Sequence, residues 1–246
     1  MSNFTTVKYF KDNSIANIVL NRPEVLNAYN MQMRDDMYQI LSAVRDDSDV
    51  LAITITGQGD RAFCTGADLT EFGSNPSKVS ARQVRWERDV WGLLYSISKP
   101  IVAGMNGYVV GSGLEMALLC DIRVASEDCL FWLPESGLGM LPAAGGSQSL
   151  PRIIGEAAAL DLLLTGRRVD AEEALGIGLV HEIVPKEQLK ERTMVWAGML
   201  VKQPSDIIER IKYMIGRGMD GPLETGIDLE LVIALGSLKS GESGWS

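Results

Sequence analysis

Histidine is nearly missing from this sequence: His181 is the only one in 246 residues. A Ser-His or Cys-His nucleophile needs an imidazole as its base, so hydrolysis through such a triad is almost excluded. His181 itself, in LVHEIV, has no second histidine or paired cysteine nearby. It reads as a half-buried strand residue and not as a metal ligand. Cysteine is also scarce. Cys64, Cys120 and Cys129 are odd in number and show no C-x-x-C spacing, which fits small buried thiols in a reducing, cytoplasmic setting better than a disulfide framework. Basic residues are outnumbered, 23 against 32 acidic ones, for a formal charge of −9. No Lys/Arg cluster interrupts that surplus, so nucleic acid and membrane surfaces are poor partners, and an anionic ligand would need a local basic or dipolar site. No targeting segment is expected at MSNFTTVKYFKDN, which lacks both an apolar core and an Arg-rich amphipathic pattern. The apolar stretch Ile101 to Cys120 is long enough for a bilayer but holds Asn106, Glu115 and four glycines, which marks it as a buried soluble segment.

What is present is an ordinary globular composition, 46% hydrophobic and 22% charged, with ample capacity for one large core. Alternating or β-branched runs predict strands at VKYF, ANIVL, VLAITITG, IVAGMNG and DIRVAS. Helical spacing covers MQMRDDMYQILSAVRDD, a segment from about Ser80 to Ser98 that stops at Lys99-Pro100, and a segment starting near Ser112. From Gly155 onward the pattern is almost wholly helical, with LVHEIV as the exception. The chain therefore divides into an α/β core, residues 1–200, in which strand-strand-helix units recur, and a helical region, 201–246.

Two familiar chemistries fail on spacing. Gly111-Ser112-Gly113 lacks the third glycine of a dinucleotide fingerprint, since Met116 stands there. Ser112 is flanked by Val110 and Leu114 at the outer positions of a G-x-S-x-G elbow. Carboxylate and backbone chemistry remains. Glu115 lies inside NGYVVGSGLEMALLC, and a buried carboxylate must be paired, protonated or useful. One reading is a capping box, Ser112-Gly113-Leu114-Glu115, in which the glutamate only satisfies a backbone N–H. The other is a site, because Gly107, Gly111 and Gly113 let a ligand approach the backbone while a helix N-terminus offers N–H groups to developing negative charge. A second donor turn is available in RAFCTGADLTEF, which is otherwise an ordinary turn. Glu135, in the loop LPESGLGMLPAAGG, offers a second carboxylate or is simply solvated.

Taken in order, LNRPEVLNAYN, AFCTGADL, NGYVVGSGLEMALLCD, PESGLGMLPAAGGSQSLPRIIG and LTGRRVDAEEALGIGLVHEIVP resemble the enoyl-CoA hydratase, or crotonase, superfamily over nearly the whole chain. The resemblance implies a superhelix of ββα units and a C-terminal helical region that builds homotrimers, commonly paired into hexamers. It implies acyl-CoA thioester substrates, with coenzyme A as part of the substrate and no separate cofactor or metal. By position it puts the oxyanion donors at the backbone N–H groups of Thr65 and Ser112, the catalytic pair at Glu115 and Glu135, and substrate contacts at Gly66, Ala67, Asp68, Gly113 and Ala143. Two glutamates favour hydration of a 2-enoyl-CoA, or the reverse dehydration, over Δ3,Δ2-isomerisation, thioester or β-diketone hydrolysis, or a non-catalytic acyl-CoA- or RNA-binding role. There are departures: Leu133 where hydratases often have Gln, Ala143 for Gly, and Glu24 where a basic residue often meets the CoA end. That last change leaves Arg22 or Arg61 to compensate.

Overall fold

The computed structural model describes residues 4–71, 77, 83 and 86–239. Its strands fall into two sheets. The larger runs in the order β1 (Val7–Asp12), β2 (Ile15–Leu20), β3 (Ala52–Gly57), β5 (Ile101–Met105), β7 (Ile122–Ser126) and β10 (Glu182–Val184). The smaller consists of β4 (Ala62–Cys64), β6 (Tyr108–Val110), β8 (Leu130–Trp132) and β9 (Val169–Asp170). β1 pairs antiparallel with β2 and β9 with β8, while the remaining ladders are parallel, with Ile18 opposite Ile55 and Ile53 opposite Ile101. Parallel strands covered on both faces need continuous apolar runs. β3 and β5 supply them as AITI and IVAGM, buried throughout.

Helices follow the strand pairs. α1 (Met31–Asp46) starts at Asn30, whose side chain accepts the Met33 N–H at 2.9 Å, and it buries Met33, Met37, Ile40, Leu41 and Val44 along one stripe. The next helix, expected from about Ser80, is continuous as α2 only over Val90–Ser96, where the Asp89 carboxylate accepts the Gly92 N–H at 3.0 Å. Gln83, Trp86 and Glu87 are also helical, Arg88 and Asp89 break the run, and residues 80–82, 84 and 85 lie outside the described ones. Then come α3 (Ser112–Leu118), α4 (Gly146–Ile154), α5 (Glu156–Thr165), α6 (Ala171–Gly176), α7 (Leu189–Leu200), α8 (Ser205–Gly218) and α9 (Leu223–Lys239).

The recurrence is visible as β3-β4-α2, β5-β6-α3 and β7-β8-α4. Each unit puts its first strand in the larger sheet and its second in the smaller one, so the chain advances as a spiral. The consequence for function is positional: the turns leaving β4, β6 and β8 lie at one end of the same small sheet. On the opposite face of the larger sheet α7 seals a second core of Ile15, Ala52, Val102, Val124, Val184, Leu189 and Ala197. The approach is close enough that a Cβ on Gly104 would overlap the Thr193 hydroxyl. α8 is tied to this body by Lys212 to Asp121 at 2.8 Å and by Ser98 donating to Glu209 at 2.9 Å.

Candidate active site

β6 ends at Val110, and the chain turns through Gly111 at φ 50°, ψ −125°, into α3. A side chain is strongly disfavoured there. Ser112 is consequently the first helical residue and not the cap, and no side-chain capping bond is made. The capping-box reading of Glu115 is thereby overturned. Its carboxylate crosses instead to the chain before α4, where Oε1 accepts N–H groups from Ala144 at 2.9 Å and Gly146 at 2.8 Å. Glu115 is 1% exposed, and its charge is met by the start of a nine-residue helix, where backbone N–H groups and the helix dipole favour an anion.

Glu135 arrives from β8 through Leu133-Pro134 and opens a short 3-10 turn, Glu135–Leu138. It is half-buried. Its Oε1 lies 2.9 Å from where a Cβ on Gly111 would stand, and its Oε2 is buried with no hydrogen-bond partner among the described residues. Burial, and then the negative charge of Glu115, raise its pKa above the ordinary carboxyl range. The two glutamates thus flank the Gly111 turn in different states of support. One is held by two N–H donors; the other has an unbonded oxygen.

The turn after β4 closes the site from the other side. Gly66 adopts φ 87°, and a Cβ there would stand 3.0 Å from the Val110 carbonyl and 3.4 Å from the Ser112 nitrogen. One residue further along α3, a Cβ on Gly113 would overlap the Cys64 carbonyl. These glycines bring the Thr65 and Ser112 peptides together. Ser112 N–H has no acceptor among the described residues, whereas Thr65 N–H donates to the Leu26 carbonyl at 3.2 Å, the long end of the usual range. Ala67 bridges to Tyr29. Asp68 holds Arg22 at 2.9 Å and accepts from the Thr70 hydroxyl at 2.6 Å, which makes its carboxylate a strut of this turn. Arg22 also donates to the Ala28 carbonyl at 2.6 Å. Arg61 lines a cleft of about 420 Å³ together with Pro23, Glu24, Leu26 and Asn27, and donates to the Pro23 carbonyl at 3.1 Å. Ala143 is exposed beside Ala144, and Leu133 is buried in the main core.

Sequence reasoning missed the Ala144 and Gly146 N–H groups. The signal lay in AAGGSQSLPRII, where a glycine pair masks the start of α4. His181 stands one residue ahead of β10, exposed rather than half-buried in a strand, with Nδ1 accepting the Arg123 N–H at 3.2 Å. The three cysteines are free and buried, and burial pushes each thiol up to about 12, far from the range of reactive thiolates. Among the described residues no group of three or more His, Cys, Asp or Glu side chains could hold a metal, and no helix is long and apolar enough to cross a membrane.

Two carboxylates set around a pair of closely packed glycine turns, carried on two sheets of a ββα spiral, define the class of α/β protein to which the chain's relatives belong. The chain belongs to the enoyl-CoA hydratase/isomerase family, the crotonase superfamily, whose model matches residues 11–240. It is 36% identical over 220 residues to the putative enoyl-CoA hydratase/isomerase YngF of Bacillus subtilis, covering 89% of this chain and 85% of that one. It is 34% identical over 221 residues to the crotonyl-CoA hydratase of Syntrophomonas wolfei, with coverage of 89% and 85%. Among solved structures, the enoyl-CoA hydratase of Bacillus anthracis superposes with a TM-score of 0.89 at 30% identity, covering 96% of this chain and 92% of that one.

Proposed function

We propose that this protein hydrates 2-enoyl-CoA thioesters to 3-hydroxyacyl-CoA, or runs the reverse dehydration. The observation that carries the reading is the unequal support of the two glutamates. Glu115 is held as an acceptor by Ala144 and Gly146, the arrangement of a base. Glu135 has a raised pKa and an unbonded buried oxygen, the arrangement of a proton donor. A carboxylate fixed by N–H donors beside a carboxyl whose pKa is raised can divide base and acid roles between the two.

On this reading the thioester oxygen lies between Ser112 N–H and Thr65 N–H, the latter exchanging the Leu26 carbonyl for the substrate. Each such donor is worth about 3 kcal/mol to the enolate that forms. Glu115 takes a proton from water as its oxygen bonds to the β-carbon. The double-bond electrons move to the thioester oxygen, and as the enolate collapses Glu135 delivers its proton to the α-carbon. Arg61, on the wall of the cleft it shares with Glu24, is the cation offered to the coenzyme A phosphates, because Arg22 is engaged with Asp68. The reading calls for no further cofactor, and the three free, buried cysteines suit action in the reducing cytoplasm. The exposed apolar residues Ile211, Ile215, Ile227, Leu231 and Leu235 on α8 and α9 form a surface suited to self-association as a trimer or hexamer.

The test is loss of the conjugated enoyl-thioester absorbance with crotonyl-CoA and a longer 2-enoyl-CoA. Glu115→Gln and Glu135→Gln should each lower turnover by about two to four orders of magnitude with substrate affinity nearly unchanged. Full turnover in either variant overturns the assignment. Conversion of a 3-enoyl-CoA with no water added makes the protein an isomerase instead.

A further inference from the structure

Tyr29 is not used in the chemistry proposed above, yet its hydroxyl is buried and has no hydrogen-bond partner among the described residues. The residue is fastened to the turn that carries Thr65. Its N–H donates to the Gly66 carbonyl at 2.7 Å, its carbonyl accepts the Asp68 N–H at 2.9 Å, and it forms a bridge with Ala67. From that turn the ring runs to Trp91 on α2, with centroids 5.3 Å apart and planes tilted by 40°. Tyr29 therefore stands against the turn that follows Thr65, with its ring packed on Trp91 of α2.

The groups in electrostatic reach of the hydroxyl are engaged elsewhere. Arg34 pairs with Asp35 at 2.7 Å, Asp35 with Arg88 at 2.8 Å, and Asp89 caps α2 through Gly92 N–H at 3.0 Å. Cys64 is a weak partner at best. Burial pushes the phenol pKa up, which keeps it a donor at all working pH values. A buried hydroxyl left unbonded carries its full desolvation cost, and phenylalanine would fill the same space without it. The hydroxyl becomes an asset when a ligand supplies the acceptor.

We propose that Tyr29 donates a hydrogen bond to a neutral oxygen on the acyl chain, so that the site selects 2-enoyl thioesters bearing a hydroxyl, keto or ether oxygen beyond the double bond. This deepens the hydratase reading and rests on it for the identity of the thioester.

The test uses a ladder of 2-enoyl-CoAs in which one methylene at successive positions beyond the double bond is replaced by an ether oxygen, each against its all-carbon counterpart. One member of the ladder should be preferred by wild-type protein, in kcat/KM relative to its all-carbon counterpart, and that ratio, measured in the same way within the variant, should fall about tenfold in Tyr29→Phe. Calorimetric binding of the matching saturated acyl-CoAs should reproduce the preference and its loss. If the calorimetric preference appears and then disappears in the variant while nothing is hydrated, Tyr29 keeps its role and the hydratase reading fails. If hydration proceeds but wild type shows no preference anywhere on the ladder, or Tyr29→Phe keeps the preference in full, the proposal for Tyr29 is overturned.

Discussion

The substitution Gly146→Ala isolates the position of Glu115 from its chemistry. Gly146 opens α4 with a φ outside the left-handed region, so alanine fits the backbone and is favoured in a helix by up to about 1 kcal/mol. The added carbon, however, would stand 2.9 Å from Glu115 Oε1 and 3.0 Å from its Cγ. Both contacts are to a side chain, so the carboxylate gives way before the backbone does. Swinging aside, it leaves the N–H groups of Ala144 and Gly146, and hydrogen bonds to a charged group are worth roughly 1.5–3 kcal/mol each. Part of that loss is offset by the better helix former and by new contacts for the displaced carboxylate, so global stability should fall by about 2 kcal/mol or less. A misplacement of about 1 Å at a reacting group costs on the order of 10²-fold in rate. Steady-state hydration of crotonyl-CoA should therefore show kcat reduced about a hundredfold with KM little changed, alongside a urea transition displaced only modestly. Wild-type kcat in Gly146→Ala, with Glu115→Gln inactive, would refute the argument that anchoring at α4 is what aims the base.

Three other outcomes follow from the geometry. Because burial and then the charge of Glu115 raise the folded-state pKa of Glu135, its stabilising contribution is present below the ordinary carboxyl range and lost as pH rises through the raised value. Glu135→Gln should accordingly raise Tm at neutral pH and not near about pH 4, a difference scanning calorimetry reads directly; an equal shift at both pH values would remove burial of the charge as its cause. Asn27 is fully buried at φ 56° and joins the Arg22 N–H at 2.9 Å to the Gln58 and Ala62 carbonyls at 3.0 and 2.9 Å. Asn27→Ala strands three backbone groups and should cost about 3–5 kcal/mol in denaturant unfolding; a cost near zero would mean that water replaces the side chain. Gly104→Val drives a side chain into Thr193 beneath α7 and should destabilise by about 1–3 kcal/mol. Thr193→Ala in the same chain should recover part of that, and simple additivity in the double-mutant cycle would count against direct contact.

The elements legible in the sequence are those whose packing is periodic or continuous: β2, β3, β5 and β7 as apolar runs, α1 as a stripe, and the helices after Gly155. β4, β6 and β9 were not, because a strand of two or three residues gives no period to read, and β4 sits inside RAFCTGADLTEF, whose glycine and polar residues describe the turn that follows it. α4 was hidden for a different reason. Gly145 and Gly146 look like a loop, and Pro151 lies inside the helix, so local propensity argues against a segment that tertiary contact with α3 supports.

The same limit governs the site. Motif order was enough to single out Thr65, Ser112, Glu115 and Glu135, but the local pattern around Glu115 pointed equally to a cap, and the distinction depended on one backbone angle. With Gly111 at φ 50° the helix starts at Ser112, so serine is one residue too late to cap and Glu115 is not at N3 of a capping box. Its oxygen then needs other donors, and they come from residues 29 and 31 positions away, a separation at which no spacing rule operates. Placing α4 there requires the third ββα unit to pack against the second. The orientation of the Glu115 carboxylate is thus a property of the spiral as a whole, and a change at the start of α4 should displace it more strongly than a change within the local S-x-x-E pattern.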